Sequence, residues 1–277
     1  MSIRIQRLSP AIGALIEGVD LAIPLSTDLA QQIRAALYAH EVIFFRDQDL
    51  PPARHVELAR VFGEPELTRH PKFDVVPDHP EISIVINDAE RPPDIDVWHT
   101  DMTFTEKPPA ACVLHCVECP SSGGDTLWAS LSSAWDALSP SLQALLRGRR
   151  ARHSLRLDGF PLTEIAKLGD RTISTFHPIA RRHPHSGRTS LYVNSVYSRQ
   201  IEGLGEAEGR HLLAMLFEIS QRPEHQIRFR WSPGSVAIWD NRCTQHYAIA
   251  DYYPQRRVMH RVSITGDTPL GLAADPS

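Results

Sequence analysis

The chain has 277 residues, 42% of them hydrophobic and 22% charged, with a formal net charge of −4. This is enough apolar content for one large domain with a sizeable core, and the charge carries no electrostatic footprint for nucleic acid. No apolar run approaches the roughly 18–20 residues that span a bilayer, and MSIRIQRLSPAIGALIEGVD lacks a basic-then-apolar leader with a cleavage site, so a cytoplasmic protein that uses no membrane is expected.

In chain order, IRIQRL reads as an opening strand. LSTDLAQQIRAALYAH follows as a helix, with Ser26 as N-cap and Leu29, Ile33, Ala36 and Leu37 on one face. VIFFRD is a short β-rich run. PPARHVELARVFG reads as a second helix that opens on proline, carries Leu58, Val61 and Phe62 as its stripe and stops at Gly63. ISIVIND is a strand. Residues 88–96 (DAERPPDID) read as a mobile or irregular loop that leads into WHTDMTF, itself read as a strand. AACVLHCVE and GDTLWAS are strands. SSAWDALSPSLQALLRG is helical with a break at Pro140, and ARHSLRL is a strand. Residues 158–175 have no clear pattern and suit a lid. HPIARRHPHSGRTSLYVN is a hairpin turning at HSGR, and GEAEGRHLLAMLFEISQ is a helix. QIRFRWSPGSVAIWDN is a hairpin around SPGS. TQHYAIADYYPQRRV has no strong period, and MHRVSIT is the last strand.

Alternating βαβ units are absent, which argues against a parallel doubly wound sheet. The expected fold is mainly β with helical additions around a double-stranded β-helix, or jelly-roll, core, as a single domain over residues 1–277. The four cysteines are Cys112, Cys116, Cys119 and Cys243. Their spacing is unlike the paired CxxC of a zinc site, and on a strand Cys112, Leu114 and Cys116 share a face opposite His115. Reduced, buried thiols are the expectation.

The chemistry starts at His99 and Asp101. On a strand, residues i and i+2 point to one side, so both converge on one ion. The third ligand is best supplied by His246 in WDNRCTQHYA. Two histidines and a carboxylate leave coordination positions open, as in non-haem Fe(II) oxygenases. HxD also arises by chance, and among 14 histidines a surface charge pair is the alternative reading. Arg257 and Arg261 strengthen the metal reading. They lie four apart on an extended run flanked by Val258, Met259 and Val262, and inward-facing arginines suit anions.

These motifs, with IGALIEGVDLAIPL, VIFFRDQ, FGE, PSSGGDTLWAS, HPIARRHPHSGRTSLYVN, VAIWDNRCTQHYA and YPQRRVMHRVSITGD, resemble the taurine dioxygenase / dichlorophenoxyacetate dioxygenase family of Fe(II)/2-oxoglutarate enzymes over almost the whole length. The resemblance implies iron ligands at His99, Asp101 and His246. It implies that Thr126 and Arg257 hold the distal carboxylate of 2-oxoglutarate, and that Arg261 lies near both the substrate anion and the chelating end of 2-oxoglutarate. It places His70, the backbone N–H of Met102 and Tyr197 around the substrate. The cofactors implied are Fe(II), 2-oxoglutarate and O2, and the reaction is hydroxylation of the carbon next to the heteroatom of a small organic anion.

The sequence departs from the taurine enzyme where a tyrosine and an asparagine receive the substrate amine. Phe73 and Ile95 stand there, and burying an unpaired ammonium against them is costly. The expected substrate is therefore a sulfonate, an alkyl sulfate ester or an aryloxyalkanoate with an apolar tail. Two rivals stay open: a non-catalytic jelly-roll module that binds metal or anion, and a zinc hydrolase on the same triad. A homo-oligomer is also left open. Trp98, Trp128 and Trp239 are expected to pack in the core. His177, His183 and His185 are expected to face solvent, His115 and His260 to hydrogen-bond within the sheet, and Asn194 and Asn241 are candidates to brace the site.

Overall fold

The computed structural model describes residues 3–68, 73–155 and 174–273. A hairpin of β1 (Arg4–Arg7) and β2 (Ala14–Glu17) precedes α1 (Thr27–His40), β3 (Val42–Phe45) and α2 (Pro52–Arg60). Next come β4 (Asp74–Val76), β5 (His79–Asn87), β6 (Ala111–Glu118), β7 (Thr126–Ser130), α3 (Leu131–Asp136) and α4 (Pro140–Leu146). The middle of the chain supplies β8 (Arg150–Ser154), β9 (Ser174–Pro178), β10 (Ala180–Arg182), β11 (Thr189–Leu191), β12 (Ser198–Ile201) and α5 (Glu206–Ser220). It closes with β13 (Gln226–Phe229), β14 (Val236–Asp240), β15 (Thr244–Ala248), β16 (Arg257–Ile264) and β17 (Leu270–Gly271).

The main sheet runs in the order β1-β2-β3-β14-β6-β16-β5-β4, and a smaller sheet runs β13-β7-β15. Between them lies one apolar layer: Phe44, Cys112, Leu114, Cys116, Ala237, Trp239 and Met259 from the main sheet, and Trp128 and Phe229 from the small one. This is the jelly roll. On the far side of the main sheet Ile43, Phe45, Val113 and Ile238 pack with Ile33 and Leu37 of α1 and Val56 and Leu58 of α2. Both faces of the central strands are thus covered, which is why VIFF and VAIW are continuously apolar instead of alternating. A third cluster joins α3, α4 and α5 to β8, β10, β11 and β12.

Local signals explain the helices. Ser26 accepts from the Leu29 N–H to open α1, and Pro52 stands in the first turn of α2, where no intrahelical N–H is needed. Pro140 does divide the third helical run, with Ser139 capping α4. Val61 and Phe62 lie just beyond α2, in the turn before Gly63. The cysteines are free, and Cys112 and Cys116 are buried on one face of β6.

Four expectations change. First, the run around SPGS is no hairpin: β13 pairs with β7, whereas β14 pairs with β3 and β6. The turn carries the chain from one sheet to the other. Gly234 (φ +79°) lets the Gln48 backbone come so near that a Cβ would sit 3.1 Å from its carbonyl oxygen. Second, TQHYA is a strand, β15, paired with β7. Third, His177 and His183 are buried, not solvent-facing; only His185 of that trio is exposed. The hairpin of β10 and β11 does form, but it folds onto the core, where His183 donates from Nε2 to Asp240 at 2.9 Å. Fourth, His115 hydrogen-bonds to the Gln48 backbone, beyond the end of β3, rather than within the sheet, and its Nδ1 meets no partner among the described residues. Its ring lies between those of His55 and His260, 6.3 and 6.4 Å away. The segment read as a lid over 158–175 falls, up to residue 173, outside the described residues. Among the described residues no helix is long and apolar enough to cross a membrane.

His55 is buried beneath the main sheet and donates from Nε2 to the Val113 carbonyl at 3.2 Å. Burial lowers its pKa to about 3 and that of His115 to about 4, from 6.5. Between these limits the unfolded chain binds more protons than the native one, so stability rises with pH there. Urea midpoints are expected to fall as pH drops from 7 to 5, and His55→Gln to flatten that slope. An unchanged slope would remove His55 from the account.

Candidate active site

The site forms where the two sheets open at one end. His99 and His246 are an isolated bridge pair: His99 N–H donates to His246 O at 3.0 Å, and His246 N–H to His99 O at 2.8 Å. Residues so paired hold their side chains side by side, and the two imidazole centroids are 4.1 Å apart. Asp101 arrives differently from the strand reading. Strand pairing ends at His99, the chain turns over 101–105, and Met102 sits at φ +50°. The turn, not the pleat, brings Asp101 Oδ1 to 3.6 Å from His99 Nε2 and 3.9 Å from His246 Nε2. One ligand atom from each of the three lies within 4.8 Å of the others.

The donor chemistry fits a divalent cation. His99 Nδ1 must donate to the Val97 carbonyl, at 2.8 Å, so the Nε2 lone pair faces Asp101, the arrangement metal-binding histidines usually show. His246 is buried beside Trp239 and Trp128. Burial, then the neighbouring His99, lowers its pKa to about 3, so it is a neutral donor. Its Nδ1 meets no partner among the described residues. Burial acts to raise the Asp101 carboxyl, but the positive charge around it, with the Arg261 guanidinium as its permanent part, holds it well below the usual carboxylate range. A second group, His183, Asp240 and Cys243, is also close-set. There Asp240 is already taken up by Arg242 and His183, and His183 Nδ1 accepts from the Ser186 N–H at 2.9 Å. That group is a structural network.

A cavity of about 440 Å³ opens above the triad, and Thr126, Trp128, His246, Arg257, Met259 and Arg261 are on its wall. Alternation puts them there: 126 and 128 on β7, and 257, 259 and 261 on β16. Arg257 is 6% exposed, stands 5.9 Å from the centroids of both Trp231 and Tyr252, and meets no carboxylate among the described residues. Burial lowers its pKa, as for a cation that lacks an anion. Trp231 donates from Nε1 to Thr126 Oγ1 at 2.9 Å, which leaves the Thr126 hydroxyl proton for another acceptor. Gly124 (φ +71°) allows this packing, because a Cβ would lie 3.1 Å from Tyr252 and 3.4 Å from Arg257.

Arg261 lies 5.0 Å over the Phe73 ring. Phe73 and Ile95 both line the cavity with Ile84, Ile86, Pro92 and Pro93. Met102 and Tyr197 stand off its wall: Met102 shapes the turn, and Tyr197 packs 5.2 Å from Phe104. His70 lies outside the described residues. Asn194 donates to Thr103 Oγ1, and Asn241 bonds the Asp101 backbone, so both brace the turn. Trp231 and Tyr252 went unnoticed in the sequence; an aromatic pair that boxes an arginine has no local spacing to betray it.

Fold and site together define a jelly-roll metalloenzyme class whose His/Asp/His triad faces an arginine-bearing cavity. The chain belongs to the family described as taurine catabolism dioxygenase TauD, TfdA family, whose model matches residues 4–263, and it is an α-ketoglutarate-dependent dioxygenase. It is 38% identical to an alpha-ketoglutarate-dependent sulfate ester dioxygenase of Pseudomonas putida, over 94% of this chain and 89% of that protein. It is 33% identical to an alkylsulfatase of Acinetobacter baylyi, over 97% and 87%. Among solved structures it is similar to a taurine dioxygenase from Burkholderia xenovorans: TM-score 0.86, 37% identity, covering 100% of this chain and 96% of that one.

Arg257→Met removes a buried cation without a carboxylate partner at similar volume, a change that is often neutral or stabilising. The ligand-free variant is expected to melt no lower than wild type. Added α-ketoglutarate at about 100 times its dissociation constant should stabilise metal-loaded wild type by about 2.7 kcal/mol and the variant by less than about a third of that. A lower melting point with the ligand effect intact would contradict this reading of Arg257.

Proposed function

We propose that the protein is an Fe(II)- and 2-oxoglutarate-dependent dioxygenase for an organosulfur monoanion with an apolar tail, an alkyl sulfate ester or alkylsulfonate. The observation that carries the substrate reading is the cavity wall, where Arg261, the arginine left once Arg257 is given to 2-oxoglutarate and Arg91 to its ion pair with Asp88, shares the lining with Phe73, Ile84, Ile86, Pro92, Pro93 and Ile95. The similarity to a sulfate ester dioxygenase and to an alkylsulfatase supports it.

In this reading His99, Asp101 and His246 hold the iron, which with 2-oxoglutarate and O2 supplies the oxidation that places a hydroxyl on the carbon next to the heteroatom. Arg257, in its aromatic box, receives the distal carboxylate of 2-oxoglutarate, and the Thr126 hydroxyl donates to it. A guanidinium forks onto a carboxylate through two N–H groups, and in this dry wall the pairing is weakly screened. Arg261 holds the substrate anion, and the apolar wall orients the tail and keeps water from the reacting carbon. Hydroxylation at that carbon gives a product that collapses to an aldehyde, releasing sulfate from an ester or sulfite from a sulfonate, while 2-oxoglutarate leaves as succinate and carbon dioxide.

A second reading rests on the cavity mouth, which carries Asp74, Asp94 and Asp96. A tail ending in an ammonium group would meet carboxylates there. All three are exposed, and such pairs contribute at most about 1 kcal/mol, less than burial of two methylenes at about 0.8 kcal/mol each. The apolar tail is therefore favoured.

The test is a panel of sulfate esters, sulfonates and aryloxy acids scored by succinate formed above the substrate-free background. Alkyl sulfates are expected to outperform taurine, with kcat/KM rising roughly fourfold per added methylene until the cavity is filled. A clear preference for taurine would overturn the argument from Phe73 and Ile95.

A further inference from the structure

Asp101 is the one ligand of the triad that no strand holds. Its neighbours His99 and His246 are fixed by the backbone bridge, but Asp101 lies past the end of that pairing, on a turn. A carboxylate on a turn has two freedoms: the backbone shifts, and the terminal torsion has a broad, shallow profile. Either one lets both oxygens reach a metal and occupy a coordination position that the dioxygenase reaction needs open.

The structure answers each freedom with a buried side chain. Asn241, fully buried, bonds both polar groups of the Asp101 backbone: its Oδ1 accepts from the Asp101 N–H at 2.9 Å, and its Nδ2 donates to the Asp101 carbonyl at 3.1 Å and to the Pro109 carbonyl at 2.9 Å. The torsion is met by Cys112. Its thiol donates to Asp101 Oδ2 at 3.5 Å, the oxygen other than the Oδ1 that faces His99 and His246. Cys112 is itself fully buried, and its sulfur lies 3.7 Å from Oγ of Ser263, its register partner on β16. A thiol is a weak donor, yet here its acceptor is a buried carboxylate, and the strand fixes where it points.

We propose that Cys112 and Asn241 are positioning residues that hold Asp101 to the metal through one oxygen only. The inference rests on the His99/Asp101/His246 metal reading. It gives a role to a cysteine that would otherwise be plain core filling.

The test uses full-length protein stripped of metal and titrated with Mn(II), with pulsed electron paramagnetic resonance in deuterated water to count the waters on the bound ion. Cys112→Ala removes the donor, and its bound Mn(II) is expected to carry one fewer water than in wild type, because the freed oxygen takes that position. Cys112→Ser keeps a donor and should retain the wild-type count. Asn241→Asp keeps the acceptor and loses both donor contacts, and should weaken Mn(II) binding by about 10–100-fold, as for other outer partners of metal ligands. Should Asn241→Asp fail to fold, the Cys112 pair decides. Wild-type hydration and affinity in Cys112→Ala, or a serine variant that behaves like the alanine one, overturns the proposal. If wild type itself binds no Mn(II), the metal reading fails instead.

Discussion

His99 and His246 exchange two backbone hydrogen bonds, and the geometry of the site follows from that exchange. Two residues far apart in sequence become direct cross-strand neighbours. Their imidazoles are held by main chain and need no long, floppy side chain to reach a common point. The bridge in turn depends on the pairing of β15 with β7, where His246 lies opposite Trp128. The small sheet therefore does two things with one register: it presents a ligand, and it backs that ligand with indole. A slip of one residue would turn His246 out of the cavity and Tyr247 into it.

The same alternation decides the electrostatics. Thr126 on β7 and Arg257 and Arg261 on β16 face the layer that is otherwise built of Trp, Phe, Met, Leu, Ala and Cys side chains. In the proposed reading, burying Arg257 there costs stability in the free protein and gives affinity for a carboxylate, because the guanidinium is buried and meets no carboxylate among the described residues. Trp231 and Tyr252 limit that cost by presenting ring faces to the cation. Stability is given up where a ligand returns it.

Much of this was legible in the residues. The three ligand candidates and the two arginines could be named because motif spacing and family resemblance agreed, and Thr126 from the resemblance alone; the structure puts five of the six on one cavity wall, with Asp101 beside the two histidines. The reason given for His99 and Asp101 converging was wrong in form: the i, i+2 rule assumed a strand, and a left-handed residue at Met102 replaces that rule with a turn. The SPGS segment misled for a related reason. A turn signal between two β-rich runs specifies reversal of the chain, not which strand each run will pair with, and here the two sheets compete for them. His183 looked exposed because it flanks a turn; its partner Asp240 lies 57 residues away, and no local pattern announces such a contact. The bracing of Asp101 by Asn241 is long-range in the same way.

The central claim is that His99, Asp101 and His246 form an iron site facing a 2-oxoglutarate pocket. Anaerobic addition of Fe(II) and 2-oxoglutarate tests it most directly, through the visible charge-transfer absorption that arises when 2-oxoglutarate chelates a protein-held ferrous ion. The account predicts that band in the wild-type protein, and its loss together with most of the bound iron in His99→Ala. No band in the wild type, with a metal content that His99→Ala leaves unchanged, would contradict it.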